Sequence, residues 1–269
     1  MAIIKGAIQM NGGIKGVSFY SLKGSDKVFM RTKGGPTKHQ MATSPTYGEV
    51  RKLQKEFGGC AKFGSLARMS FGGLHSLADY NMTPVLNGIG KSLMKLDTTS
   101  EKGRRSLKLT SYKQALEGFN FNRNYPLSSV LRVAPQWELD RDNLKAVVEI
   151  PRINTDIDLQ NIQKLPFFRL IIVVGTISDM VYDPDIDNYK PLVAKLHGAS
   201  VTVTGDWKPT QTILPSQTIT ATMSASQIAR MTDDVTMLLS IAVEFGNIGF
   251  TGEPVEVKNA GCGKVLAVA

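Results

Sequence analysis

The chain has 269 residues, 42% of them hydrophobic, and a formal net charge of +9 at pH 7. This length and composition are typical of a globular protein with one large domain or two smaller ones. No apolar run in this sequence approaches the ~18 residues of a membrane-spanning helix, so we expect no membrane span in it. The first residues lack the continuous apolar core of a Sec signal peptide, so we expect a cytoplasmic protein or a subunit of a particle assembled there.

The charge is unevenly distributed along the chain. Residues 1–70 carry 12 Lys and Arg against 3 Asp and Glu, whereas residues 146–269 carry 9 against 13. A basic front half is suited to nucleic acid or another anionic surface. A chain that is basic at one end and acidic at the other can also be complementary to its own copies.

A basic, glycine-rich arm opens the chain, over residues 1–44. Two short apolar-rich runs, Val17–Leu22 and Lys27–Thr32, flank Lys23-Gly24-Ser25-Asp26, and this pattern predicts a β-hairpin. A lone hairpin is only marginally stable in water, so we expect the arm to lie extended on another surface, that of a neighbouring subunit. The residues predicted to make this assembly contact are Val17, Phe19, Tyr20, Val28, Phe29 and Met30.

Residues 45–126 are predicted to form short, glycine-rich helices. Ser44-Pro45 is a typical helix start, and Val50, Leu53 and Phe57 follow it with the spacing of one helix face. The pair Gly58–Gly59 is predicted to end or break this helix. Another short helix is expected after Pro84.

From about Phe119 the apolar pattern changes to the period of two that is typical of strands. The predicted strands in this part of the chain include Phe167–Ser178, Val193–Leu196, Ser200–Thr204, Gln217–Met223, Thr236–Phe245, Val255–Lys258 and Lys264–Val268. We expect residues 127–269 to form an antiparallel β-sandwich, and the whole chain to belong to the α+β class. Its expected core includes Val147, Leu170, Ile172, Val201, Val203, Leu239, Ile241 and Val243.

Motifs for catalysis and metal binding are incomplete. Val85–Ser92 ends like a phosphate-binding P-loop but begins with Val instead of Gly. Asp183, Asp185 and Asp187 have the spacing of positions 1, 3 and 5 of an EF-hand calcium loop. The Gly and Glu that such a loop needs at positions 6 and 12 are replaced by Asn188 and Ala194, which leaves at most a weaker cation site. The two cysteines and three histidines have no metal-ligand spacing. We therefore predict a non-enzymatic protein with no catalytic, cofactor or metal residues.

The basic residues define an alternative. In the arm they alternate with aromatic residues, a combination typical of platforms on which bases stack and phosphates pair. A second basic tip follows near residue 104. The candidate nucleic-acid or anion contacts are Lys23, Lys27, Arg31, Lys33, Lys38, Lys102, Arg104 and Arg105.

The front of the chain, GGIKGVSFYSLKGSDKVFMRTKGGPTKHQMATSPTYGEVRKLQKEF, resembles an uncharacterised protein family of Bacteroidetes. The shared features are a Gly-rich start, a hairpin with K/R-G-x-D followed by Arg, and a helix that opens after a Ser/Thr-Pro step. The likeness extends more loosely to residues 118–142. It implies the layout of basic arm, helices and β domain, and no activity.

Three functional hypotheses follow from the sequence. The first is a structural protein that self-assembles into a homopolymer (a filament, tube or shell) through its arm and its β-sheet edges. The alternative is a nucleic-acid-binding protein that uses the basic front half. The third, an enzyme, ranks last because no catalytic constellation in the sequence supports it.

Overall fold

The computed structural model describes residues 2–4, 12–21, 27–32 and 34–269, and it divides into two compact units, Met1–Arg51 and Lys52–Ala269. In the first unit, a 3₁₀ turn at Pro45–Tyr47 follows helix α1. The elements that begin in this unit are β1 (Ala2–Ile4), β2 (Gly12–Ile14), β3 (Val17–Ser21), β4 (Val28–Thr32), α1 (Lys38–Thr43) and α2 (Gly48–Met69).

The four strands of the first unit form one antiparallel sheet in the order β1-β4-β3-β2. Strands β3 and β4 pair with Tyr20 opposite Phe29 and Phe19 opposite Met30. The predicted turn at residues 23–26 lies outside the described residues. Helix α1 begins with a capping box, in which Thr37 Oγ1 accepts the N–H of Gln40 and the Gln40 side chain accepts the N–H of Thr37.

The second unit combines helices with most of the strands, and two 3₁₀ turns, Leu74–Leu77 and Lys113–Ala115, connect them. The further helices are α3 (Thr83–Leu96), α4 (Leu127–Val130), α5 (Thr155–Asp158) and α6 (Ala225–Ile228). The strands are β5 (Gln136–Asp140), β6 (Lys145–Ile150), β7 (Ile153–Asn154), β8 (Phe167–Ser178), β9 (Met180–Asp183), β10 (Asn188–Pro191), β11 (Ser200–Thr204), β12 (Lys208–Pro209), β13 (Ile213–Leu214), β14 (Gln217–Thr222), β15 (Val235–Ile248) and β16 (Pro254–Val268).

A five-stranded antiparallel sheet is the centre of this unit. Its order is β11-β8-β15-β16, with β12 also paired to β8. One face packs Leu170 and Leu239 against Val148 of the three-stranded sheet β14-β6-β5. The other face packs Val173 and Leu238 against Phe63 of α2 and other helical residues. Because both faces are covered, β8 and β15 are buried along almost their whole length, with no alternation of buried and exposed residues.

The α+β class is confirmed, since helices and several antiparallel sheets occur together. Leu170, Ile172, Leu239, Ile241 and Val243 are buried as expected, and Val201 and Val203 are partly buried against the same cluster. The predicted strand Val193–Leu196 is wrong, because these residues form a bend and turns between β10 and β11. The core prediction for Val147 is also wrong. Val147 is only half-buried, because the residues of β6 that point into the core are its neighbours, Ala146, Val148 and Ile150.

The expected break at Gly58–Gly59 is wrong, because α2 runs unbroken from Gly48 to Met69. A Cβ at Gly59 would lie 2.7 Å from the ring of Tyr189, whereas a Cβ at Gly58 would meet nothing within 4 Å. Gly59 therefore permits close packing of the Tyr189 ring on the helix. Tertiary packing of this kind stabilises α2 across the two glycines, which on their own are poor helix formers. No helix in the described part of the chain is long and apolar enough to cross a membrane.

Candidate interaction surfaces

The register of the arm sheet separates the six predicted assembly residues onto two faces. Because side chains alternate along a strand, one face carries Val17, Phe19, Val28 and Met30, and the other carries Tyr20 and Phe29. Only Val28 is buried, and the remaining five side chains are half-buried. The arm sheet therefore presents apolar or aromatic side chains on both of its faces.

The aromatic face of the arm sheet also carries a cation. The rings of Tyr20 and Phe29 stack with centroids 5.7 Å apart, and the guanidinium carbon of Arg31 lies 5.7 Å from the centroid of the Tyr20 ring. Lys27 and Lys38 are exposed. Lys23 and Lys33 were predicted contacts too, but they lie outside the described residues.

The second basic tip, at residues 102–105, is bound to a buried carboxylate. Glu56 of α2 is fully buried, and its Oε1 accepts the N–H of Gly103 at 2.9 Å. The Lys91 ammonium pairs with Glu56, and Arg105 Nε lies 3.8 Å from Glu56 Oε1. Burial alone raises the pKa of the Glu56 carboxyl, but the Gly103 N–H, Lys91 and Arg105 together lower that pKa below its ordinary value. Arg105 therefore contributes to an internal ion cluster.

Arg104 of the same tip contacts an aromatic side chain. Its guanidinium carbon lies 5.4 Å from the centroid of the Tyr182 ring, and Lys55 Nζ lies 5.7 Å from that centroid. Lys55 also pairs with Asp187 at 2.5 Å. Lys102 is half-buried in the same loop. Arg104 and Arg105 therefore both make intramolecular contacts, Arg104 with Tyr182 of β9 and Arg105 with Glu56 of α2.

The three aspartates of the suspected cation loop lie at the end of the β9-β10 hairpin. Asp183 pairs with Lys190 at 2.5 Å, and its Oδ1 accepts the N–H of Asp185. The Lys190 ammonium holds the pKa of the Asp183 carboxyl below its ordinary value, and Lys55 does the same for Asp187. Among the described residues, no group of three or more His, Cys, Asp or Glu is arranged to hold a metal ion.

An apolar groove of about 590 Å³ lies between α2 and α3 and is called the α2–α3 groove below. Leu53 and Phe57 line one side of it, with 44% and 61% of their surface exposed. The face defined by Val50, Leu53 and Phe57 is therefore exposed, and α2 instead buries the face that carries Glu56, Cys60 and Phe63. The residues that line the groove are Leu53, Phe57, Asn81, Thr83, Pro84, Asn87, Gly88 and Lys91.

A second apolar surface lies at the end of the β15–β16 hairpin, over residues 247–255, and is called the hairpin tip. Strand β15 pairs with β8 only as far as Gly246, but its pairing with β16 continues to Ile248 opposite Pro254. The tip therefore extends past the neighbouring strand. Phe250 is fully exposed on it, together with Ile248 and Val255.

The base of this hairpin is tightly fixed. Arg169 Nε donates to Glu244 Oε2 at 2.6 Å, and Arg169 Nη2 lies 3.5 Å from Glu256 Oε2 on β16. The guanidinium carbon of Arg169 lies 4.3 Å from the centroid of the Trp207 ring. A Cβ at Gly246 would lie 2.7 Å from that ring, so Trp207 packs directly on the β15 backbone.

No family model matches the chain, and neither a curated protein nor a solved structure matches it. Function is therefore inferred from the geometry and chemistry of these surfaces.

Proposed function

We propose that the chain is a non-enzymatic structural protein that self-assembles into a homopolymer, a filament, tube or shell, through its arm and its β-sheet edges. The observation that carries this proposal is the two-faced arm sheet. It has apolar or aromatic residues on both faces, and of the six predicted contacts only Val28 is buried.

A sheet with apolar residues on both faces is normally covered on both sides. Burial of apolar surface contributes about 25 cal/mol per Å², so completing the burial of several half-buried side chains would contribute several kcal/mol. That is the order of free energy needed to offset the ordering of a short glycine-rich segment. A second copy of the chain can supply the missing cover.

Open strand edges offer a second kind of contact. β2 is an edge strand of the arm sheet, and its residues are exposed, including Ile14 at 60%. An exposed edge can pair with a strand of another copy through backbone hydrogen bonds. We interpret the two sheets that share the larger hydrophobic cluster as the two layers of the C-terminal sandwich, and we propose that assembly occurs in the cytoplasm or on a particle formed there.

The test is the mass of the protein in solution, measured by sedimentation velocity over a range of concentrations. We compare the unaltered chain with Phe19→Ser/Met30→Ser on one face of the arm sheet and Tyr20→Ser/Phe29→Ser on the other. Ile186→Ser is the matched control, because Ile186 is 58% exposed on the β9-β10 loop and belongs to the other unit of the chain. We expect polymers of the unaltered chain and of the control, and loss of polymer in at least one arm variant.

A different outcome would overturn the proposal. If the unaltered chain stays at the monomer mass at every concentration, it does not self-assemble. If both arm variants polymerise like the unaltered chain while remaining folded, the arm is not the contact.

One observation favours the alternative, a nucleic-acid-binding protein. Tyr20, Phe29 and Arg31 share one face of the arm sheet, where stacked rings lie beside a guanidinium. Such a face can stack a base and pair a phosphate. Under this alternative, the chain binds single-stranded DNA or RNA, affinity falls steeply with added salt, and Tyr20→Ser/Phe29→Ser abolishes binding while Phe19→Ser/Met30→Ser does not.

A further inference from the structure

We propose that the hairpin tip of one copy docks into the α2–α3 groove of a second copy, so that copies join head to tail. This inference rests on the proposed self-assembly and names a second pair of surfaces for it, separate from the arm. Both surfaces belong to the unit Lys52–Ala269.

The hairpin tip is preorganised for binding. Gly249 N–H donates to the Glu253 carbonyl at 2.8 Å, and Gly252 N–H donates to the Gly249 carbonyl at 3.0 Å, which closes the turn. The clamp of Arg169 and Trp207 fixes the strands below it. An ordered ridge with outward Phe250 loses little conformational freedom on binding, which favours association.

The groove has the dimensions and the chemistry to receive this ridge. Its volume of about 590 Å³ falls in the range of roughly 300–1,000 Å³ that holds small-molecule ligands, so it can take an aromatic ring with a neighbouring aliphatic chain. Leu53, Phe57 and Pro84 provide apolar walls. Exposed apolar residues concentrated on two distinct surfaces are typical of interaction sites.

The charges nearest to the two surfaces are of opposite sign. The tip, residues 247–255, contains Glu253, which is exposed, and no Lys or Arg. The lining of the groove contains no Asp or Glu; its Lys91 already pairs with Glu56, but Lys95, one helical turn further along α3, is exposed. An ion pair between Glu253 of one copy and Lys95 of another favours this orientation over contacts between two tips.

Head-to-tail geometry follows because the two patches differ. Each copy has one tip and one groove, so a contact between them is heterologous and leaves a free tip and a free groove at the ends. Such contacts produce closed rings or open filaments, whereas a self-complementary patch stops at a dimer. The inference therefore specifies how the assembly would grow.

The experiment uses a bismaleimide cross-linker on cysteine variants of the full chain. The native Cys60 and Cys262 are both fully buried, so they do not compete for the reagent. The cysteines are placed beside the apolar side chains, so that the proposed contact is kept. Gly88 lines the groove, and a Cβ there would meet nothing within 4 Å, while Thr251 is exposed next to Phe250.

The double variant Gly88→Cys/Thr251→Cys should give a ladder of cross-linked copies. An equal mixture of the single variants G88C and T251C should give dimers only, and neither single variant alone should cross-link. The mixture of G88C with Ile186→Cys is the control and should not cross-link.

A second variant measures the contribution of the contact without cross-linking. Phe250→Ser removes the central apolar side chain of the tip at a fully exposed position, so folding should be unaffected. We expect self-association about tenfold weaker or more, because burial of an aromatic side chain contributes about 1.5–3 kcal/mol and 1.4 kcal/mol is a factor of ten.

The outcomes separate the two proposals. If the chain polymerises but gives no ladder, and F250S polymerises normally, the docking is wrong and self-assembly stands. A dimer from T251C alone shows contact between two tips and also overturns the docking. If the unaltered chain is monomeric at every concentration, the proposed function itself fails.

Discussion

The guanidinium carbon of Arg169 lies 4.3 Å from the centroid of the Trp207 ring, and the same guanidinium forms an ion pair with Glu244. Glu244 is 6% exposed, so this pair neutralises a carboxylate inside the five-stranded sheet. The contact fixes the strands from which the hairpin tip extends.

Arg169→Ala should destabilise the fold. It leaves the Glu244 carboxylate buried without its partner and removes the packing on Trp207. Loss of one partner of a buried pair costs about 3–5 kcal/mol, and Arg169 is partly exposed, so we expect about 2–3 kcal/mol in the free energy of unfolding, measured by urea denaturation. Arg169→Lys retains the charge but loses the two-point contact, so its free energy of unfolding should lie between those of the unaltered chain and of Arg169→Ala. A variant Arg169→Ala as stable as the unaltered chain would show that the clamp is not structural.

Two adjacent glycines should respond in opposite ways to the same change. Gly58→Ala should raise the free energy of unfolding by about 0.5–1 kcal/mol, because a Cβ there meets no atom within 4 Å and Ala favours the helix. Gly59→Ala should lower it by about 1–3 kcal/mol, since its Cβ would lie 2.7 Å from the Tyr189 ring. Thermal or urea denaturation of both variants tests this. Equal effects at the two positions would contradict the packing of Tyr189 on α2.

Stability should fall as the pH is lowered through the range that titrates His197. The side chain is 7% exposed, its Nδ1 accepts the Ser178 N–H at 3.0 Å, and burial lowers its pKa from 6.5 to about 4. Below pH 6.5 the unfolded chain takes up a proton that the folded chain does not, so stability decreases from pH 6.5 to about 4 and then levels off. Titration of His197 therefore lowers the free energy of unfolding by at most about 3 kcal/mol.

The control for this prediction is His197→Asn, whose side-chain oxygen can still accept the Ser178 N–H but does not titrate. Urea denaturation of both proteins at several pH values gives the difference in slope. If the two proteins lose stability in parallel between pH 6.5 and 4, His197 is not the group responsible.

Long apolar runs made strands β8 and β15 predictable, and the alternation of Val with Thr in SVTVT made β11 predictable. The burial of Glu56 was not predictable, since its partners Gly103, Lys91 and Arg105 come from distant positions. α2 likewise buries the face with this carboxylate and exposes Leu53 and Phe57, an arrangement that helical spacing alone does not specify.

The hairpin tip was missed for a related reason. The predicted strand ended at Phe245, because the Gly and Asn residues that follow it disfavour strands and indicate a turn. In the structure β15 continues to Ile248, where pairing with β16 overrides that local preference. The sequence did contain one signal of an interaction surface, which is the aromatic Phe250 between the turn-forming residues Gly249 and Gly252.

The mass of the protein in solution, measured by light scattering coupled to size-exclusion chromatography, tests the central claim most directly. The comparison is between the whole chain and a form that lacks residues 1–44, which retains the whole of α2. Both hydrophobic clusters consist of residues from Cys60 onward, so the shortened chain should fold, as circular dichroism can confirm. We predict high-mass species for the whole chain and markedly smaller species, down to the monomer, without the arm. A whole chain that remains at 29.3 kDa, or a shortened chain that forms the same high-mass species, would contradict assembly through the arm.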